Sequence, residues 1–149
     1  MNNNSELSFI MGIDPDIDKS GVAFGMGGKV VRLECMDLFE LYDFFLENRS
    51  VIKKVYLEAS WLIKKSNWHE DKNKNSLTRQ KNSYDVGRNH SVGQQIEKAL
   101  QRLNINYIAV KPYASKKNHE EFCRMTKWPV SVRTNQEKRD AGMLIHGHY

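Results

Sequence analysis

Four acidic residues stand where a carboxylate is costly to place. Asp14 closes the apolar run Ile10-Met11-Gly12-Ile13-Asp14-Pro15, and Glu58 ends Val55-Tyr56-Leu57-Glu58. Near the C-terminus, Glu137 and Asp140 fall in Glu137-Lys138-Arg139-Asp140-Ala141. A charge at the end of an apolar strand is expensive unless it is paired or binds a metal. Glu137 and Asp140 share one face of a helix, about one turn apart. Hard divalent ions prefer oxygen ligands, and octahedral Mg²⁺ retains water that can attack. Two such ions roughly 3.5–4 Å apart activate a water and stabilise the leaving oxygen of an in-line phosphoryl displacement. The set is therefore a candidate site for two Mg²⁺ ions, with Mn²⁺ as a substitute, acting on a phosphodiester.

Each acid also has a plainer reading. Asp14 before Pro15 suits a turn, Glu58 suits a solvated strand end, and Glu137 with Asp140 suits a surface salt-bridged to Lys138 and Arg139. Their joint occurrence, in this order, carries the weight. Glu34, Asp37 and Glu40 repeat the three-residue spacing, yet they read as a helix cap and surface.

The elements that must position these acids follow from periodicity. Residues 8–14 read as a buried strand, 21–26 as a second, and 29–36 as a third across the hairpin breaker Gly27-Gly28. Leu38, Leu41, Phe44, Phe45 and Leu46 recur at helical spacing, with Asp37 as N-cap and Glu40 three residues later as its capping-box partner. Residues 51–58 form a strand, with Val55 and Leu57 on one face and Tyr56 and Glu58 on the other. The segment 62–85 has no clear period and reads as a long basic loop. A helix is expected from Val86 to Leu103, a fifth strand over 106–111, a short basic helix over 115–127 and a closing helix over 135–146. The order is β-β-β-α-β-α-β-α plus one extra helix: an α/β fold with a mixed five-stranded sheet flanked by helices.

The chain has 149 residues, 40% of them hydrophobic and 28% charged, which suits a single globular domain over 1–149 with a polar tail at 1–7. No apolar stretch approaches a membrane span, and no signal-peptide pattern opens the chain. Cys35 and Cys123 are too few for a disulfide scaffold, so free thiols in a reducing cytoplasm are expected. The net charge is +5, and the basic residues cluster. Lys64, Lys65, Lys72, Lys74, Arg79, Lys81 and Arg88 stand against Glu70, Asp71 and Asp85 alone. Such a patch suits a polyanion.

Here the motifs become specific. Gly12-Ile13-Asp14-Pro15 followed by Ser20-Gly21-Val22-Ala23 resembles the first motif of RuvC-type Holliday junction resolvases, in the RNase H-like superfamily. Leu57-Glu58 resembles the second motif, and Glu137-x-x-Asp140-Ala141 the last. The resemblance extends over nearly the whole chain, including the element order. It implies that Asp14, Glu58, Glu137 and Asp140 hold two metal ions in a homodimer that nicks branched DNA symmetrically. Trp61 matches the aromatic residue three positions after the second carboxylate, where the family works at the junction's base stack. Lys111 matches a lysine after the fifth strand, and Lys116 or Lys117 one shortly beyond, near the scissile phosphate. The chain departs from the family by carrying Asp16 where Gly is usual, and Glu137 where the residue is a shorter Asp or a His.

Three functions stay open from sequence. The first is resolution of four-way junctions, with the glycines and apolar face of the Val86–Leu103 helix as the candidate dimer interface. A nuclease for other branched DNA, RNA–DNA hybrids or structured RNA is the second, and a non-catalytic nucleic-acid-binding module the third. A zinc site from His146, His148, His119, His90 and Cys123 lacks the tight four-ligand spacing such sites need.

Overall fold

The architecture rests on a five-stranded sheet in the order β3-β2-β1-β4-β5. A computed structural model describes residues 7–63, 76–112 and 115–149. The strands are β1 (Phe9–Asp14), β2 (Ser20–Met26), β3 (Lys29–Met36), β4 (Ile52–Glu58) and β5 (Tyr107–Val110). The helices are α1 (Leu38–Asn48), α2 (Ser76–Arg102), α3 (His119–Thr126) and α4 (Gln136–Ile145). β1, β2 and β3 form an antiparallel meander, whereas β1, β4 and β5 run parallel. The expected mixed sheet and element order are both present.

The two-residue period of the strands divides the core in two. Met11, Ile13, Val22, Phe24, Val55 and Leu57 face α1 and α2, packing on Leu41, Phe45, Val92, Ile96 and Leu100. On the other face Ile10 and Ala23 meet Phe122 and Cys123 of α3 and Ala141 and Ile145 of α4. Every fully buried aliphatic or aromatic side chain contributes about 1.5–3 kcal/mol, so both helical layers are bound firmly to the sheet.

Local signals act as expected. Gly27 and Gly28 turn the β2–β3 hairpin at φ +62° and +79°, a conformation that side chains resist. Asp37 caps α1 by accepting from the Glu40 amide at 2.8 Å, and Glu40 accepts from the Asp37 amide at 2.9 Å. Glu34 pairs with Arg32, so this second acidic triplet is cap and surface.

Two expectations need correction. The segment 62–85 is not loop throughout, because α2 begins at Ser76 rather than Val86. Its first ten residues are almost all exposed, so no apolar stripe marks them; good helix formers such as Leu77, Arg79, Gln80 and Lys81 extend the helix instead. Arg88 also lies over the Tyr84 ring one turn back, 5.2 Å from its centroid. The second correction concerns the apolar face of α2. Val92, Ile96 and Leu100 are buried against the sheet and α1 within this chain, so that face is not left open for a partner helix. Lys64, Lys65, Lys72 and Lys74 lie outside the described residues. Among those described, no helix is long and apolar enough to cross a membrane.

Candidate active site

Parallel pairing of β1 with β4 sets Ile13 beside Leu57, so Asp14 and Glu58 emerge side by side at the same ends of neighbouring strands. Both point to the α3–α4 face, as alternation requires. α4 brings the remaining acids. It runs antiparallel to β1, laying Glu137 over Gly21, Ala141 over Gly12 and Ile145 over Gly25. Those three residues recur every four positions and form the helix face that touches the sheet. The helix sits so low that a Cβ at Gly12 would strike the Ala141 carbonyl oxygen, and one at Gly21 the Glu137 carbonyl oxygen. Asp140 is thereby carried toward Asp14 and Glu58.

Mutual charge is strong. Burial, then Glu58, Asp140 and Glu137, push the Asp14 carboxyl from its ordinary 3.8 up to about 8, with Lys116 opposing. Burial and Asp140 likewise raise Glu58. Lys116 is the counter-charge: its Nζ donates to Asp140 Oδ2 at 2.5 Å, and its pKa is raised by that bond and by Asp14 and Glu58. The other Asp140 oxygen, Oδ1, accepts from Gln136 Nε2 at 2.6 Å.

Among the described residues, no three His, Cys, Asp or Glu side chains already close on one point as a coordination cage. The donor set nevertheless fits a hard divalent cation. It is all carboxylate oxygen, it gathers more negative charge than the Lys116 ammonium offsets, and it holds a half-buried Asp14 that an added cation would relieve.

The structure distinguishes among the basic candidates. Lys116 joins the carboxylates, whereas Lys117 turns its ammonium to Ser115 Oγ at 3.3 Å. Lys111 is exposed just past β5. Arg79 and Lys81 lie on the exposed stretch of α2, with Arg88 half-buried beyond them. Asp16 is a turn residue: its Oδ1 accepts from the Asp18 amide at 2.9 Å, and its own amide donates to buried Ser20 at 3.1 Å. The candidate zinc ligands do not assemble among the described residues. His148 stacks on Tyr56, His146 reaches the Tyr149 hydroxyl, and His119 bonds Thr134 and Val130.

Trp61 is half-buried. Its ring packs on the larger core cluster, meets His90 edge-on, and lies so close to Gly93 that a Cβ there would collide with it. Trp61→Ala should thus destabilise the fold by about 2 kcal/mol, read as a lower melting temperature without DNA. An unchanged melting temperature would show that the packing contributes nothing.

Sequence reasoning missed Gln136 and Arg139. Arg139 donates from Nε to the Lys117 carbonyl at 2.8 Å, from Nη1 to the Thr134 carbonyl at 3.0 Å and hydroxyl at 3.1 Å, and from Nη2 to Gln136 Oε1 at 3.0 Å. It ties the segment carrying Lys116 to the helix carrying Asp140.

No protein-family model and no curated protein matches the chain. Its fold is similar to a solved structure described as T. thermophilus RuvC in complex with Holliday junction substrate, with a TM-score of 0.55, 13% identity, and coverage of 93% of this chain and 90% of that one. A further structure of Thermus thermophilus RuvC gives a TM-score of 0.49 and 16% identity over the same shares.

Proposed function

We propose that this chain, which has a RuvC-type fold, is a metal-dependent endonuclease that resolves four-way DNA junctions. One observation carries the reading: carboxylates from β1, β4 and α4 gather at one end of the sheet, with Asp14 pushed up to about 8 by burial and its acidic neighbours. A module that only bound nucleic acid would lose affinity by setting such charge against phosphates.

Two divalent ions held by Asp14, Glu58, Glu137 and Asp140, Mg²⁺ with Mn²⁺ as substitute, would supply an activated water and stabilise the leaving oxygen. The protein's own contribution is placement. Asp14 and Glu58 are fixed on adjacent hydrogen-bonded strands, and Asp140 is fixed on a helix seated against the sheet, so little reorganisation is left for the reaction itself. The Lys116 side chain is 68% exposed and can turn from Asp140 to a phosphate oxygen. Lys111, Lys117, Arg79, Lys81 and Arg88 would meet further phosphates, and the open part of Trp61 would meet a base. Hydrolysis would leave a 3′-hydroxyl and a 5′-phosphate. Paired symmetric nicks require two such sites, which a homodimer supplies.

The test is a synthetic four-way junction incubated with the protein in Mg²⁺ or in EDTA. Paired nicks at symmetric positions are expected in Mg²⁺ alone, with none from Asp140→Asn. A folded wild-type protein that leaves the junction intact overturns the reading. Faster cleavage of a fork or an RNA–DNA hybrid transfers the activity to that substrate.

A further inference from the structure

We infer that Gln136, oriented by Arg139, is a positioning residue that commits one oxygen of Asp140 to the protein and leaves the other to take a cation. The inference deepens the metal-dependent reading above and rests on it.

The two oxygens of Asp140 are engaged in different ways. Oδ1 accepts from Gln136 Nε2 at 2.6 Å, from four residues earlier on the same helix. Oδ2 accepts from Lys116 Nζ at 2.5 Å. The Gln136 amide has a single orientation open to it. Arg139 Nη2 lies 3.0 Å from its other end, and a guanidinium only donates, so that end must be the oxygen. A carboxylate only accepts, so the NH₂ must face Asp140. Neither end can flip without setting two donors or two acceptors against each other.

Arg139 is itself immobilised. Its Nε and Nη1 donors go to the Lys117 carbonyl and to the Thr134 carbonyl and hydroxyl. The Thr134 hydroxyl lies 2.8 Å from His119 Nδ1, and His119 Nε2 lies 2.8 Å from the Val130 carbonyl. A carbonyl only accepts, so Nε2 is protonated, and in the neutral ring Nδ1 then receives the Thr134 hydroxyl. Every link from Val130 to Asp140 Oδ1 thus has one direction.

Lys116 has no such anchoring of its ammonium, although its backbone segment is tied to Arg139 through the Lys117 carbonyl. It precedes α3 in irregular backbone with its side chain 68% exposed, whereas that of Asp140 is only 15% exposed. The ammonium is therefore the exchangeable partner and Oδ2 the exchangeable oxygen. The bond from Gln136 to Oδ1 fixes the rotation of the carboxylate, and with it the position of Oδ2. Groups that orient a metal's ligands in this way typically account for about 10–100-fold in affinity.

The experiment measures Mn²⁺ binding to the metal-free protein by the electron paramagnetic resonance signal of the free ion, with no DNA present. Gln136→Met keeps length and helix propensity but removes the donor. It should weaken Mn²⁺ binding about 10-fold while the metal-free melting temperature stays near that of wild type. Arg139→Lys keeps the charge but loses the fork. It should weaken binding in the same direction, and it decides the matter if Gln136→Met does not fold. Wild type that binds Mn²⁺ with unchanged affinity in both folded variants overturns this inference and leaves the nuclease reading intact. Wild type that binds no Mn²⁺ overturns both.

Discussion

Asp14→Asn should lose Mg²⁺-dependent cleavage and at the same time melt at a higher temperature than wild type, in the absence of metal, at neutral and mildly alkaline pH. Both effects have one cause. Asp14 is placed by β1 among Glu58, Asp140 and Glu137, so its ionised form is disfavoured in the fold until a cation arrives. The amide has nearly the same shape and cannot ionise. The loss of cleavage should reach at least about 100-fold, the scale seen when one transition-state-stabilising group is removed.

The sign of the stability effect follows from proton counting. The Asp14 carboxyl titrates near its ordinary 3.8 when unfolded and at about 8 when folded. Between those values the folded state holds a proton that the unfolded state has released, so stability falls as pH rises. The contribution is complete below the unfolded value and is lost as pH climbs through the folded one. Glu58, also raised, acts in the same direction. Melting curves in EDTA should therefore decline for wild type across this window and decline less for Asp14→Asn. Saturating Mg²⁺ should reverse the ranking, because the variant lacks a carboxylate proposed to hold the ion that stabilises the fold. Near-wild-type cleavage by the folded variant, or parallel pH profiles for the two proteins, would refute the placement of Asp14 in the site. Such a cluster of like charges costs stability, a feature common at active sites.

The acids were legible because physics marks them twice. Each of Asp14 and Glu58 ends an apolar run, and the two-residue period tells which face it takes: Val55 and Leu57 enter one core cluster while Tyr56 borders the other. Asp37 and Glu40 were legible as a cap for a similar reason, since their spacing matches a local hydrogen-bond pattern. The first turns of α2 were not, because an exposed polar helix has no apolar stripe to show. Lys116 could not be told from Lys117, as neighbours in irregular backbone have no period that assigns their directions. Gln136 and Arg139 act through partners that include Lys117, 22 residues away, and no local pattern announces such a contact. One signal was present and unread. Gly21, Ala23 and Gly25 alternate along β2, opposite Asp14, Gly12 and Ile10, which marks a sheet face stripped of side chains where a helix backbone comes close.

Gly12→Ala tests that seat, and Gly87→Ala supplies its opposite. At Gly12 the new methyl would meet the Ala141 carbonyl, with Ile145 also in contact. The obstacle is helix backbone, so no rotamer change relieves it; α4 must lift or the strand must bend. Overpacking of this kind costs about 1–3 kcal/mol, which for a chain of this size lowers the melting temperature by several degrees. The second consequence is larger. Asp140 is the residue before Ala141, so lifting α4 withdraws it from Asp14 and Glu58, and a misplacement of roughly 1 Å can cost about 100-fold in rate. Gly12→Ala should consequently lose most of its cleavage at temperatures where circular dichroism shows it still folded. At Gly87, in α2, the same methyl meets nothing within 4 Å, and replacing a helical glycine by alanine should stabilise by about 0.5–1 kcal/mol. If Gly12→Ala melts and cleaves like wild type, α4 does not rest on β1 as described and Asp140 is positioned by something else. If Gly87→Ala lowers the melting temperature as Gly12→Ala does, the loss at Gly12 cannot be assigned to the contact with Ala141.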